Sequence, residues 1–298
     1  DAPTGSGFRN SLKMLCTTAD ASPAAADIMI INQRFEGQNI QQFLKGTASA
    51  KQFALTFWVK SNVTGTYIAE LHDQDNSRSV SASYTVSVSA TWEKKTIIFP
   101  ADTSGVLDND NALSLVVNFW LGAGTNYTSG TLATTWGTHT NANRVVGQTN
   151  LAAATNNYWQ ITGVQLEAGA VATPFEFEDI STTLTKCKRY YHREGDTNYH
   201  YYMPLTDWSA GNSYGSFRMP VEMRTIPTLS YSSISDFRVY ASVTVGTPTS
   251  MSEWVPGASS GKLHIAVNVL APNLTGGNKS GWFTNGGSGG WIGFSAEL

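Results

Sequence analysis

The stretch Ile161-Thr-Gly-Val-Gln-Leu-Glu-Ala-Gly-Ala-Val-Ala-Thr-Pro-Phe-Glu176, followed by Lys186-Cys-Lys-Arg-Tyr-Tyr-His192, sets the organisation of this chain. The first part has the alternating apolar residues of a β-strand, and the alternation changes phase at Gly163. Because glycine is common at such a slip, we expect a β-bulge there. The second part has helical spacing. We therefore expect one β-domain to end here and a second to begin after a short helix.

Upstream of this stretch, apolar and polar residues alternate in segments separated by Gly, Asn and Asp turns. Such alternation is typical of antiparallel strands that have one face in a core and one in water. Many short strands with little helical pattern predict an all-β fold that begins with a jelly-roll β-sandwich. The expected core residues are Leu55, Phe57 and Val59, then Val80, Ala82, Tyr84, Val86 and Val88, then Leu113, Leu115, Val117, Phe119 and Leu121.

A helix is expected from Ser181 to His192, with Ser181 as its N-cap. Leu184, Cys187 and Tyr191 fall on one face of it. Beyond the helix, strand alternation returns over 237–245, 263–269 and 291–298. The expected organisation is a jelly-roll domain over 1–180, a linker helix and crossover over 181–199, and a second, smaller β-domain over 200–298.

Composition narrows the classes of function. The 298-residue chain has a net charge of −3 and no block of like charges, so nothing indicates binding to nucleic acid or to an anionic membrane. No apolar run is long enough to be inserted across a bilayer. Because the chain begins with Asp and not Met, we expect a part of a longer protein, with an attachment region upstream.

Several motifs occur in a characteristic order, among them Thr162-Gly-Val-Gln-Leu-Glu-Ala-Gly169, Cys187-Lys-Arg-Tyr-Tyr191 and Met223-Arg-Thr-Ile-Pro227. With them the chain resembles bacteriophage tail-fibre and receptor-binding virion proteins, whose jelly roll is similar to carbohydrate-binding modules. The resemblance covers nearly the whole chain. Its segments are 33–38, 57–61, 92–97, 118–124, 162–169, 172–176, 187–191, 223–227 and 296–298.

The resemblance implies a non-enzymatic, extracellular component of a phage virion, on the tail or as a capsid appendage. It implies a tail fibre or receptor-binding protein that forms a homotrimer, but it does not supply a ligand. The exposed loops with aromatic residues predict attachment to a host-surface glycan or another envelope component. Other virion proteins would be bound through the upstream region. One alternative is a purely structural virion protein, such as a capsid fibre, a decoration protein or a tail connector. A third interpretation is a polysaccharide hydrolase.

Aromatic residues are the candidate ligand contacts, because sugar rings stack on flat aromatic faces. Trp58 and Trp120 oppose the core phase of their strands, so we expect both on the outer face of a sheet. For any of the candidates, the alternative is packing under a loop or at a subunit interface. Four further candidates lie in Gly-, Ser- and Asn-rich segments that predict exposed loops of the second domain: Trp208, Tyr214, Trp254 and Trp282.

Catalytic and metal-binding motifs are weak. The five histidines are scattered, and there is no Gly-x-Ser-x-Gly motif. His72-Asp-Gln-Asp75 fits a turn better than a metal site. A glycosidase needs two carboxylates across a sugar cleft, and the sequence brings no two together. No cofactor is expected beyond the structural calcium ion that the resemblance allows, for which Glu36 and Glu167 are the candidate ligands.

Overall fold

A computed structural model describes residues 1–195, 197–209, 212–241, 244–253, 261–271, 280–285 and 289–298. Strands dominate this part of the chain and form antiparallel sheets, so the predicted all-β class is confirmed. Contacts divide the chain into two compact units. The first unit is Asp1–Phe177 with Leu298, and the second is Glu178–Glu297.

The first unit contains nine strands and one short α-helix in the described residues. The helix α1 spans Thr125–Thr128. The strands are β1 (Leu12–Leu15), β2 (Ile28–Glu36), β3 (Phe53–Ser61), β4 (Gly65–Asp73), β5 (Arg78–Val86), β6 (Glu93–Phe99), β7 (Leu113–Ala123), β8 (Gly137–Thr138) and β9 (Tyr158–Ala168).

The eight longer strands form two sheets that share one core. Sheet A has the strand order β1-β9-β3-β6, and sheet B has the order β2-β7-β4-β5, with β8 added at its edge. The chain crosses from one sheet to the other at nearly every connection, and only β4 and β5 form a hairpin within one sheet. This strand order is that of a jelly roll, so the predicted sandwich is confirmed.

The core of the first unit lies between the two sheets. It contains the alternate residues of each central strand, for example Leu55, Phe57 and Val59 of β3. The expected core positions of β5 and β7 also lie in it or pack against it, except Val88 and the half-buried Leu113. Val88 is an exception, because β5 ends at Val86 and the Val88 side chain is 55% exposed. The strand period therefore predicts the core face correctly but not the last residue of the strand.

The β-bulge predicted at Gly163 is present. The register between β3 and β9 shifts where Thr56 and Trp58 pair with Gln165 and Thr162. Gly163 has φ +60, in the left-handed region that favours glycine. A Cβ atom at this position would lie 2.4 Å from the Phe8 ring. Glycine is therefore required both by the backbone conformation and by the close approach of Phe8.

The predicted helix is shorter than expected and has a different N-cap. Helix α2 spans Ile180–Lys188, and the Asp179 carboxylate accepts a hydrogen bond from the Ser181 N–H at 2.8 Å. Asp179, and not Ser181, is therefore the N-cap. The chain leaves the helix after Lys188 and forms the strand β10 (Tyr191–Gly195). Both elements lie within the second unit, although the sequence predicted a separate linker over 181–199.

The described part of the second unit has ten strands in two sheets. A three-stranded sheet has the order β10-β19-β13, and a seven-stranded sheet has the order β15-β14-β18-β11-β12-β17-β16. After β10, the strands are β11 (Tyr201–Ser209), β12 (Asn212–Arg218), β13 (Thr228–Tyr231), β14 (Arg238–Ala241), β15 (Thr244–Gly246), β16 (Ser250–Glu253), β17 (His264–Leu270), β18 (Ser280–Thr284) and β19 (Trp291–Ser295).

The core of the second unit contains most of the expected residues, including Ile265, Val267 and Val269 of β17 and Phe294 of β19. The segment 237–245 differs from the prediction of one strand. It forms two paired strands, β14 and β15, and the Val245 side chain is 47% exposed.

None of the helices in the described ranges is both long and apolar enough to cross a membrane.

Candidate ligand-binding site

Trp58 lies on the face of sheet A that points away from the core. Its neighbours Phe57 and Val59 are fully buried between the sheets, whereas Trp58 is half-buried. In the sheet, Trp58 pairs with Lys94 of β6 on one side and with Thr162 of β9 on the other. The alternation of β3 therefore turns an indole ring toward the outer surface, flanked by polar residues of both neighbouring strands.

An aromatic pocket of about 250 Å³ surrounds this indole. Sheet A forms its floor, and two segments from opposite ends of the first unit form its walls. The volume is slightly below the roughly 300–1,000 Å³ range of small-molecule sites, which suits a single sugar-sized group. The lining residues are Ser6, Phe8, Thr56, Trp58, Lys94, Gly163, Pro174, Phe175 and Phe177.

Three phenylalanines build the walls of the pocket. The Phe8 ring centre lies 4.8 Å from that of Phe175 and 5.1 Å from that of Phe177. Phe175 and Phe177 are 5.0 Å apart in an edge-to-face arrangement. Such contacts favour a defined cluster of rings over a loose one. Because Gly163 has no side chain, Phe8 approaches the backbone of β9 closely and completes the wall.

Polar groups of the pocket remain available for a ligand. Within the described residues, the Trp58 indole N–H has no hydrogen bond, and the exposed Lys94 ammonium has no ion pair. A largely aromatic lining with a few polar groups is the usual composition of a ligand site, and the aromatic faces suit the C–H faces of a sugar. This pocket offers flat aromatic faces with a few polar groups beside them. It shows no pair of carboxylates among its lining residues.

Trp120 is not exposed, so its predicted surface position is wrong. Its side chain has an exposed fraction of 0%, and its indole Nε1 donates to the Glu70 carboxylate at 2.9 Å. The connection between β7 and β9 covers it, with the Tyr127 ring 5.8 Å away and the Arg144 guanidinium 4.7 Å from the indole centre. Alternation identified the outer face of sheet B but gave no sign that a long connection packs on it.

The candidates in the second unit do not lie in loops, as far as they are described. Trp208, Tyr214 and Trp282 belong to the strands β11, β12 and β18, so the prediction of loops is wrong for these three. Tyr214 is 36% exposed and pairs with Thr206 and Asn268. Trp282 pairs with Pro204 and Tyr240. Trp254 lies outside the described residues.

The two candidate calcium ligands have protein partners. Glu36 is fully buried and accepts a hydrogen bond from Gln38 at 2.5 Å. Glu167 accepts hydrogen bonds from the backbone and the hydroxyl of Thr173. Although burial alone would raise the pKa of Glu167, these bonds and one from Gln165 lower it. In the part of the chain that the structure describes, no three His, Cys, Asp or Glu residues gather as a metal site would require.

The His72–Asp75 segment enters a turn, as the sequence predicted. Asp73 is buried beside the Lys45 ammonium at 2.5 Å, and the Asp75 carboxylate accepts the Asp108 N–H at 2.9 Å. The Lys45 ammonium also lies 3.1 Å from Asp102. Arg78 also pairs with Asp102 at 2.8 Å, so Lys45 and Arg78 together compensate the charges of Asp73 and Asp102.

Sequence reasoning found Trp58 but missed the walls of the pocket. Phe175 lay within the quoted motif, yet no sequence signal connected it with Phe8, which is far away in the chain. Comparison with protein-family models finds no match, and comparison with curated proteins also finds none. The resemblance to phage virion proteins therefore stays a hypothesis.

Proposed function

We propose that this protein is a non-enzymatic receptor-binding component of a phage virion, which attaches to a glycan on the host surface through the pocket around Trp58. The observation that carries the proposal is an aromatic pocket on the outer face of a jelly roll, with an indole and an ammonium group that have no partner among the described residues. Stacking on Trp58 and the phenylalanine walls would supply the affinity. Lys94 and Thr56 would orient the sugar.

A single pocket of this size gives weak binding, so attachment requires several copies. In the proposed arrangement, three chains form a homotrimer on an extracellular virion appendage, joined to other virion proteins through a region upstream. Copies on one particle raise the overall affinity through effective concentration, without new contacts. Nucleic acid and membrane insertion have no part in this mechanism.

Glycan-array binding of the whole chain tests the proposal. Trp58→Ala should lower affinity for the bound glycans by at least tenfold, because a central aromatic contact is lost. Val88→Ala is the matched control, since it truncates an apolar side chain of the same unit that is 55% exposed and outside the pocket. Equal binding by wild type and Trp58→Ala, or no binding to any glycan or host cell, would contradict the proposal.

A purely structural virion role is the second candidate, and the edge of the sandwich favours it. The edge strand β1 exposes Leu12 at 53% and Leu15 at 48%. It borders an apolar groove of about 440 Å³ lined by residues of both sheets, such as Ile31 and Val164. Exposed apolar strand edges are unusual unless an assembly covers them. A particle of three times the 32.2 kDa chain mass without glycan binding would favour this role.

A further inference from the structure

We infer that the glycan is anionic, and that it extends from the Trp58 pocket along a row formed by Trp58, Lys94, Lys60 and Trp92, here called the Trp–Lys row. This inference rests on the proposed function and adds the chemical class of the ligand. Trp58, Lys60 and Lys94 lie on the neighbouring strands β3 and β6 of sheet A, and Trp92 directly precedes β6. The sugar contacts of the row are the two indoles, and its charge contacts are the two ammonium groups.

Strand register places the four residues next to one another. Trp58 is directly opposite Lys94. Lys60 is two residues after Trp58 and therefore on the same face, and its ammonium lies 5.7 Å from the centre of the Trp92 ring. Trp58 and Trp92 are thus diagonal neighbours across two strands, a spacing of roughly 7–8 Å between such positions. Each indole therefore has one ammonium group two positions away along the chain and another directly across on the neighbouring strand.

The two ammonium groups of the row differ in how far their charges are compensated. Lys94 is exposed and has no ion pair with any described residue. Lys60 pairs with Asp1 at 2.5 Å, and the Lys60 side chain is 15% exposed while that of Asp1 is 57% exposed. The uncompensated charge of the row is therefore that of Lys94, which is available to a carboxylate or a phosphate, and an anionic ligand would share Lys60 with Asp1.

The acidic residue nearest in sequence to Trp92 is directed elsewhere. The Glu93 carboxylate accepts the backbone N–H groups of Ser87 and Val88, at 2.8 and 2.9 Å, and pairs with Lys95 at 2.6 Å. Burial alone would raise the pKa of Glu93, but these bonds outweigh it and keep the carboxylate charged. Its charge is thus compensated within the protein, and the row keeps a net positive character.

Trp92 adds an aromatic face beside the Lys60 ammonium. Its indole Nε1 is buried and has no hydrogen-bond partner among the described residues. Buried donors are nearly always paired in folded proteins, so a lone one marks a place where an acceptor is missing. A sugar on the row would contact the ring face of Trp92 and not this buried nitrogen. A neutral sugar would stack in the same way but would leave the Lys94 ammonium without a counter-charge.

The test compares acidic glycans with their neutral counterparts, using the whole chain. The probes are oligogalacturonate, its methyl ester, a phosphorylated oligosaccharide with its dephosphorylated form, and sialylated glycans with their asialo forms. We expect binding to at least one acidic probe and at least tenfold weaker binding to its neutral counterpart. Which acidic probe binds distinguishes a carboxylate ligand from a phosphate ligand. Rising salt should weaken the binding.

Variants separate this inference from the proposed function. Lys94→Gln should weaken acidic-glycan binding about tenfold, and Lys94→Arg should retain most of it. Lys51→Gln is the control, because it makes the same charge change at an exposed residue upstream of β3. Trp92→Phe should weaken binding to an oligosaccharide more than to its monosaccharide. If Trp58→Ala weakens binding but neither Lys94→Gln nor salt does, the inference is overturned and the proposed function stands. If neither Trp58→Ala nor Lys94→Gln weakens binding, the inference and the proposed function are both overturned.

Discussion

Glu70 provides the sharpest test of how the first unit is held together. Its buried carboxylate on β4 accepts four hydrogen bonds. Arg144 donates two of them, from Nε at 2.8 Å and Nη2 at 2.9 Å, so this pair is bidentate. Asn118 and Trp120 of β7 donate the other two, at 3.0 and 2.9 Å. The carboxylate therefore connects sheet B to the segment that covers Trp120.

The perturbation is Glu70→Gln, which keeps the shape of the side chain and removes its charge. The Arg144 side chain, only 13% exposed, then lacks its counter-charge, and the new NH₂ group faces other donors. Breaking a buried ion pair from one side costs about 3–5 kcal/mol. In a domain of this size each kcal/mol lowers Tm by roughly 2–4 °C, so we expect a decrease of roughly 6–20 °C.

Urea and thermal unfolding of the whole chain, followed by circular dichroism, measure this loss. Hydrogen exchange of the β4 and β7 amides assigns it to the first unit. Glu176→Gln is the control, since it removes an exposed charge and should change the free energy of unfolding by less than about 0.5 kcal/mol. The double variant Glu70→Met with Arg144→Met should lose less than the two single changes added together. A Glu70→Gln variant as stable as the wild type would refute the reasoning.

Two other predictions concern the first unit. Gly163→Ala should lower the free energy of unfolding of this unit by about 1–3 kcal/mol and should weaken glycan binding. The reason is that a Cβ at φ +60 would lie 2.4 Å from the Phe8 ring and displace it. A variant with wild-type stability and binding would contradict this prediction. His72 stacks on His139 at 3.8 Å, and burial, followed by the charge of His139, lowers the pKa of His72 from 6.5 to about 4. As the pH falls from about 6.5 to about 4, the unfolded chain therefore binds a proton before the folded one does, and stability should fall by on the order of 1–2 kcal/mol, allowing for solvent at this half-buried ring. His72→Phe should flatten this part of the stability profile, and an unchanged profile would show that another group titrates.

The fold was largely predictable because strand alternation reports burial directly. The core residues of β3, β5 and β7 followed from a period of two, and the slip at Gly163 revealed the bulge. Strand ends were less predictable. Val88 and the segment 237–245 continue the alternation beyond the point at which the backbone turns, so the pattern alone gave strands that are too long.

The candidate site was only partly predictable, because it depends on which segments cover a sheet face. Trp58 and Trp120 have the same pattern in sequence, yet one lines an open pocket and the other is buried under a connection. The walls of the pocket combine Phe8 with Phe175, whose meeting is a consequence of the complete fold. The Gly-, Ser- and Asn-rich composition suggested loops for Trp208 and Tyr214, but such residues also occur in strands.

The most direct test is photo-crosslinking of the whole chain to an acidic glycan bound in the array, followed by mass spectrometry of the crosslinked peptides. If the outer face of sheet A holds the ligand, crosslinks should fall in β3 and β6, around Trp58 and Lys94, and excess free glycan should abolish them. Crosslinks confined to the second unit, or spread over the chain and insensitive to free glycan, would contradict the account.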